Sequence, residues 1–341
     1  MKSFKPIIVI GSLLFIVTLL IPTLLVIPFT DKTSGTLVED LQPVTMSAPT
    51  VKNELAINIP VYRSAKDVIE NIPLEEYVVG VVASEMPAEF EVEALKAQAL
   101  AARTLAVNRM LNVTKLGTPE GAQVTDSFET HQAYKDHLEL KKQWGADYEQ
   151  KIKKITEAVN ATAGHILTYN STPIDASFFS TSNGYTENSE EYWGNEYPYL
   201  RSVASHWDEN APKYLTSETI SVTEFESKLG VKINANEDIG KIIARTSGNR
   251  VATVQFGDKK ASGRIVRETL KLRSSDFTWV RKGNEIVITT KGYGHGVGMS
   301  QYGANGMAQE GKNYQDIVKH YYQGIEISPL DPFVPKITAS K

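Results

Sequence analysis

Ser84-Glu85-Met86-Pro87, followed by Glu91-Val92-Glu93-Ala94-Leu95-Lys96-Ala97-Gln98-Ala99-Leu100-Ala101-Ala102-Arg103-Thr104-Leu105-Ala106, decides how this chain is read. Residues 74–82 read as a helix. Pro73 stands at its start, and Glu75 and Glu76 fall in its first turn, where acids meet the positive end of the helix dipole. Pro87 biases Met86 away from the helical region, so the chain is expected to turn around Glu85. Residues 91–110 then read as a long helix, whose density of Ala and Leu predicts close packing on most sides. A carboxylate at such a helix end, walled by Val82, Met86 and Pro87, is a candidate general acid, because apolar walls raise a carboxyl pKa. The alternative is a plain cap or ion pair.

The 341 residues, 41% hydrophobic and 22% charged, suit a globular protein of two lobes. A net charge of −4 leaves no basic footprint for nucleic acid. With no cysteine, disulfides, thiol catalysis and thiolate metal sites are excluded.

Residues 7–29 carry no charge and are rich in Ile, Leu and Val, long enough for a transmembrane helix. Lys2 and Lys5 precede them in the short segment 1–6, which places the N-terminus in the cytoplasm and the rest of the chain outside it. A cleaved signal peptide is the competing reading, against which the run is long and lacks a small-x-small site directly after it. Residues 30–53 read as a tether, 54–330 as the globular region and 331–341 as a tail, with a second lobe over about 200–290. The expected fold class is α+β, a membrane anchor followed by a two-lobed extracytoplasmic region.

Within the globular region, residues 56–62 alternate as a strand and 68–72 as its hairpin partner. Residues 112–134 read as a loop, in which His131, with His137 just beyond it, raises the question of a metal; no regular carboxylate spacing supports one. Residues 148–163 read as a surface helix, and 166–169 with 174–179 as a hairpin. Next come Ser180-Thr181-Ser182-Asn183-Gly184, short donors and acceptors beside Tyr192, Trp193, Tyr197 and Tyr199, a pattern that suits sugar binding or a plain solvated loop. Residues 242–245, 251–256 and 285–289 read as strands, and 224–229 and 267–272 as short helices. Gly292-Tyr293-Gly294-His295-Gly296-Val297-Gly298-Met299-Ser300-Gln301-Tyr302-Gly303 fits neither nucleotide-binding glycine pattern. Its glycines permit close backbone approach and leave Tyr293, His295, Gln301 and Tyr302 as the polar side chains. Two short helices, over about 300–309 and 314–322, follow.

Pro73-Leu74-Glu75-Glu76-Tyr77, Ser84-Glu85-Met86-Pro87, Ala94 to Thr104 and Gly294-His295-Gly296-Val297-Gly298-Met299-Ser300-Gln301-Tyr302-Gly303-Ala304 together resemble the stage II sporulation protein D family, over about residues 55–324. The resemblance implies a peptidoglycan lytic transglycosylase acting in engulfment of the forespore, with a preference for glycan strands stripped of stem peptides. It implies stage II sporulation proteins P and M as partners, and it maps the catalytic acid onto Glu85. Some relatives hold zinc through cysteines near the position of His131-Gln132. This chain has none, so no metal or other cofactor is carried over.

A lytic transglycosylase needs one carboxylic acid where ordinary glycosidases need two, because the 6-hydroxyl of muramic acid replaces water as nucleophile. Lys96, Arg103 and Arg201 are candidates, by charge alone, for the lactyl carboxylate or for orienting Glu85, with structural ion pairs as the alternative. Ser182, Asn183, Tyr293, His295, Gln301 and Tyr302 are candidates for substrate positioning. The competing function is a non-catalytic glycan-binding module that stimulates a partner amidase.

Overall fold

The computed structural model describes residues 57–112, 118–233 and 239–339. The apolar run 7–29, the tether 30–53 and the end of the tail lie outside the described residues. The architecture is α+β, with helices around Glu85 and several small sheets.

Strands Asn58–Arg63 and Val68–Pro73 form the expected hairpin, with Val124–Thr125 added in parallel on the free edge of the first. Helix Leu74–Glu85 follows directly, and Met86 is extended at φ −120° and ψ 142°, as a residue before proline should be. Helix Val92–Leu111 is the axis of the larger core. It packs on Leu74–Glu85, Tyr148–Asn160, Gln301–Gln309, Tyr314–Tyr321 and strand His165–Tyr169. Its alanines explain how so many elements fit around one helix, since small side chains let neighbours approach on every side. Tyr148–Asn160 buries Ile152, Ile155 and Val159 against this core.

Arg103 lies at the centre of that packing, fully buried. Its Nε donates to Glu75 Oε1 at 2.8 Å and Nη2 to Glu75 Oε2 at 2.6 Å. The remaining N–H groups reach Thr162 Oγ1, the His165 carbonyl and the Val159 carbonyl at 3.2–3.3 Å. All five guanidinium donors are therefore used. Of the two readings of Arg103, the structural ion pair is the one seen and the substrate contact is corrected: a side chain spent on five internal acceptors has no donor left for a ligand.

Two further expectations change. His165–Tyr169 pairs with only Thr172–Pro173, beyond which a single bond, from the Ile174 N–H to the Leu167 carbonyl at 3.2 Å, continues the contact, and Glu326–Pro329 occupies the other edge. Phe178–Phe179 pairs instead, in parallel, with Met299–Ser300, fastening the glycine-rich run to the core. The short helix expected over 267–272 covers Gly263–Leu270, capped by Ser262 Oγ at the Ile265 N–H. A side chain at 263 would put its Cβ 1.9 Å from the Val251 carbonyl, so the helix begins on glycine.

A second, smaller apolar core gathers Phe225, Val254, Val266, Phe277 and Ile286. It lies among two three-stranded antiparallel sheets, Phe277–Lys282/Glu285–Lys291/Leu215–Ser221 and Lys259–Ser262/Val251–Phe256/Lys241–Arg245. The chain leaves the larger core at Tyr214 and re-enters at Gly292, whose N–H donates to the Tyr214 carbonyl at 2.7 Å. Arg250 fastens this part to the rest. Its guanidinium donates to the Tyr185 carbonyl at 3.2 Å and lies flat on Gly296, where a Cβ would come within 2.3 Å of it.

Removing Arg103 would leave Glu75 buried without its countercharge. Arg103→Met should cost about 3–5 kcal/mol, read as a lowered denaturation midpoint. Lys96→Ala, which removes a partly exposed pair with Glu93, should cost under about 1 kcal/mol. Equal, small losses in both variants would show that the buried pair is not the larger contributor.

Candidate functional site

Glu85 ends its helix half-buried, beside the buried Val82 and Met86. Two donors reach its carboxylate: the Ala133 N–H to Oε1 at 2.8 Å and Gln301 Nε2 to Oε2 at 3.4 Å. Burial pushes the carboxyl above its ordinary pKa, and these two hydrogen bonds pull it part of the way back. No charge is among the causes of the shift. Burial thus favours the acid form of this carboxyl, and two neutral donors stand ready to receive its anion.

The sequence makes Glu85 conspicuous but not its donors. Ala133 reaches it because residues 131–135 lie tight on the helix. A Cβ at Gly80 would come within 2.4 Å of the Tyr134 ring and 2.6 Å of the Lys135 carbonyl. Tyr134 stacks on Tyr77 at 5.3 Å between centroids, and Gln132 Nε2 donates to the Ala102 carbonyl at 3.3 Å. A backbone donor has no residue signature; the one available signal was a glycine set among the four valines of its helix.

Gln301 comes from the opposite side, as the first residue of helix Gln301–Gln309. Ser300 caps that helix, accepting from the Gly303 N–H at 3.3 Å while its own hydroxyl donates to Asp208. Asp208 also accepts from Ser182 N at 2.9 Å, Ser182 Oγ at 2.8 Å and Ser205 Oγ at 2.6 Å. Burial raises the Asp208 carboxyl against these four donors. The same helix reaches the turn after Glu85: Asn305 Oδ1 accepts from the Glu91 N–H at 2.8 Å, and Tyr302 meets Phe90 edge-on at 4.9 Å.

The other candidates separate. Ser182 is buried on Asp208, and Asn183 is buried with Nδ2 donating to the Gly248 carbonyl and Asp276, so neither faces a sugar groove as expected. Short hydroxyls and amides here satisfy a buried carboxylate and a loop instead. Arg201 is held by Glu190 at 2.8 and 2.9 Å and by the Tyr197 carbonyl, and Lys96 by Glu93. Neither is brought to Glu85. His295 keeps partial exposure as a residue, but Phe179, Tyr192 and Trp193 ring it at 5.4–5.8 Å. Burial, with Arg267 and Arg250 adding to it, pushes its pKa down to about 3, so the imidazole is neutral at ordinary pH. Its Nδ1 accepts from the Val297 N–H at 3.1 Å. Tyr293 is exposed at the far end of the run. His131 Nδ1 lies 3.2 Å from Thr125 Oγ1, and His137 binds Glu76 and Tyr148. Among the described residues no three His, Asp or Glu side chains gather as a metal would require.

The family model described as Stage II sporulation protein matches residues 62–169. Stage II sporulation protein D of Bacillus subtilis (strain 168) is 54% identical over 97% of this chain and 98% of its own length. That of Bacillus amyloliquefaciens is 52% identical over 99% of this chain and all of its own. The amidase enhancer of Bacillus subtilis (strain 168) is 31% identical over 73% of this chain and 40% of its own length.

Gln301 stabilises the Glu85 anion, so losing it must favour the acid further. Followed by carbon-13 NMR, the Glu85 carboxyl should titrate above the usual glutamate range, and Gln301→Met should move it higher still. A downward move would remove Gln301 from the site. The linkage has the same sign. A carboxyl with a raised folded pKa costs stability as pH rises through that pKa, so Glu85→Gln should stabilise the fold above it and not below.

Proposed function

The chain belongs to the stage II sporulation protein D family, and from that premise we propose that it is a peptidoglycan lytic transglycosylase with Glu85 as its single acid and base. The observation that carries this reading is the environment of Glu85: a half-buried carboxyl at a helix end whose pKa burial raises, held by two neutral donors and by no charged partner. In the first step Glu85 protonates the oxygen of the β-1,4 bond between N-acetylmuramic acid and N-acetylglucosamine. As that bond breaks, the Ala133 N–H and the Gln301 amide hold the new carboxylate. In the second step the carboxylate takes the proton of the muramic acid 6-hydroxyl, whose oxygen closes on C1 to give a 1,6-anhydro ring. The proton returns to Glu85 and no water is consumed. Glu89 and Glu91, the nearest acids in sequence, are exposed. Glu89 pairs with Lys151 at 2.9 Å, and Glu91 is the N-cap of helix Val92–Leu111. Neither is needed if the substrate supplies its own nucleophile.

The reaction would serve engulfment of the forespore, with stage II sporulation proteins P and M as partners and the globular region on the outer face of the cell membrane. The likeness to an amidase enhancer favours a second reading, in which the protein binds glycan and stimulates a partner without cutting.

Glu85→Gln keeps the shape and removes the transferable proton. The variant should fold and bind glycan strands while turnover falls by two or more orders of magnitude, on the order of what general acid catalysis supplies. Mass spectrometry of wild-type products should show 1,6-anhydromuramic ends, one water lighter than hydrolysed ends. Reducing ends would indicate a hydrolase. No release by the wild type together with acceleration of an amidase would establish the second reading.

Protease added to intact protoplasts should remove the globular region, as the positive charges before the apolar run predict. Full protection would place that region in the cytoplasm.

A further inference from the structure

Tyr293 is fixed in its backbone and open in its ring. Its N–H donates to the Thr181 carbonyl at 2.7 Å, and its carbonyl accepts from the Thr181 N–H at 2.9 Å. The residue is nonetheless 37% exposed. Two cations lie against it, Lys213 Nζ at 5.3 Å and Arg273 Cζ at 5.2 Å from the centroid. Neither is in a salt bridge among the described residues; Glu218 acts on Arg273 only through space. Lys291, two residues before Tyr293, sits over the Tyr214 ring at 5.2 Å and feels Asp276 and Glu209. Arg201, Arg245 and Arg250, in the same part of the chain, are each matched to an acid. Here two are held by an aromatic ring instead, with their charge left for something outside the protein.

The glycine-rich run ties this place to the acid. It begins beside Tyr293 and ends at Gln301, whose amide meets Glu85. The intervening peptide steps put the two residues at most about 28 Å apart. The run is pinned between them by Glu187–Val297 and Phe178–Met299 pairing, so the spacing is fixed.

We propose that Lys213, Arg273 and the Tyr293 phenol form an anion subsite for the lactyl carboxylate of a muramic acid residue lying along the strand from the scissile bond. The proposal rests on the reading of Glu85 as the acid of a glycan-cutting site. A muramic residue bears this carboxylate only where its stem peptide is gone; with the peptide attached the group is a neutral amide. Two cations and a phenolic donor recognise the free acid by charge and hydrogen bonding together. The subsite would therefore supply residues for a preference for stripped strands, which Lys96, Arg103 and Arg201, all occupied internally, do not.

The test is binding by the full-length chain in a Glu85→Gln background, which separates binding from cutting. The probes are stripped glycan strands freed of teichoic acid, and a chito-oligosaccharide of similar length without carboxylates. Lys213→Ala combined with Arg273→Ala should weaken strand binding about tenfold, the sum of two solvent-exposed charge contacts. It should also flatten the salt dependence and leave binding of the chito-oligosaccharide and the melting temperature unchanged. Tyr293→Phe should give a smaller loss of the same kind, and it tests the subsite separately if the double variant is unstable. Unchanged strand affinity, or an equal loss on the chito-oligosaccharide, would overturn the proposal. So would a loss seen only with strands still carrying teichoic acid, which would assign the cations to a phosphate polymer. If wild-type protein yields no anhydro ends yet the variants still lose stripped strands selectively, the subsite stands and the catalytic reading falls.

Discussion

The buried pair of Arg103 and Glu75 is the constraint on which the rest of the larger core depends. A guanidinium with no exposure must have every donor used, and here the five acceptors come from three parts of the chain: the start of the acid's helix, the end of Tyr148–Asn160 with the turn after it, and the strand that follows. The pair acts as a locating pin more than as a source of stability, since the desolvation of two charges offsets much of their attraction. It fixes the azimuth of helix Leu74–Glu85 about its axis. Glu75 faces Arg103 near one end, and that choice decides where Glu85 points at the other.

From that fixed helix the acid's environment follows by contact. Gly80 lets the Tyr134 segment lie flat on the helix and delivers the Ala133 N–H, while Asp208 gathers three serines behind the glycine-rich run and sets the helix that carries Gln301. Both supports are neutral where they touch Glu85. A cation there would have held the carboxyl ionised and disarmed it as an acid. Two cations that the sequence offered for this place are matched elsewhere, Lys96 to Glu93 and Arg201 to Glu190.

Much of this was legible from residues 73–106 alone. Pro73 and Pro87 mark the start and the end of the helix that Glu85 closes, and the alanine density announced a helix enclosed by others. The hydroxyl-rich run 180–183 was misleading for a physical reason: serine and asparagine serve a buried carboxylate with the same atoms that serve a sugar, and sequence does not say which way they face. Asp208 gave no clear local signal, since only Ser205 is close to it in the chain and its other donors, from Ser182 and Ser300, lie far away. The strand Leu215–Ser221 was equally hidden, because its exposed Thr, Ser and Glu side chains erase the alternation that marks a half-buried strand. Arg103 showed its charge but not its depth; only packing separates a ligand arginine from a core one.

The entry and exit of the smaller core at Tyr214 and Gly292 stand one hydrogen bond apart. A segment of some seventy-five residues therefore hangs from the larger core as a pendant, joined like a domain spliced into a surface turn. Such an attachment decouples two histories. The pendant can lengthen, shorten or exchange its sheets while the two anchoring strands keep their separation, and the acid at Glu85 would not register the change. Variation among homologues should then concentrate in the pendant's outer strands and stop abruptly at Arg250, whose guanidinium is moulded to a glycine on the other side of the join.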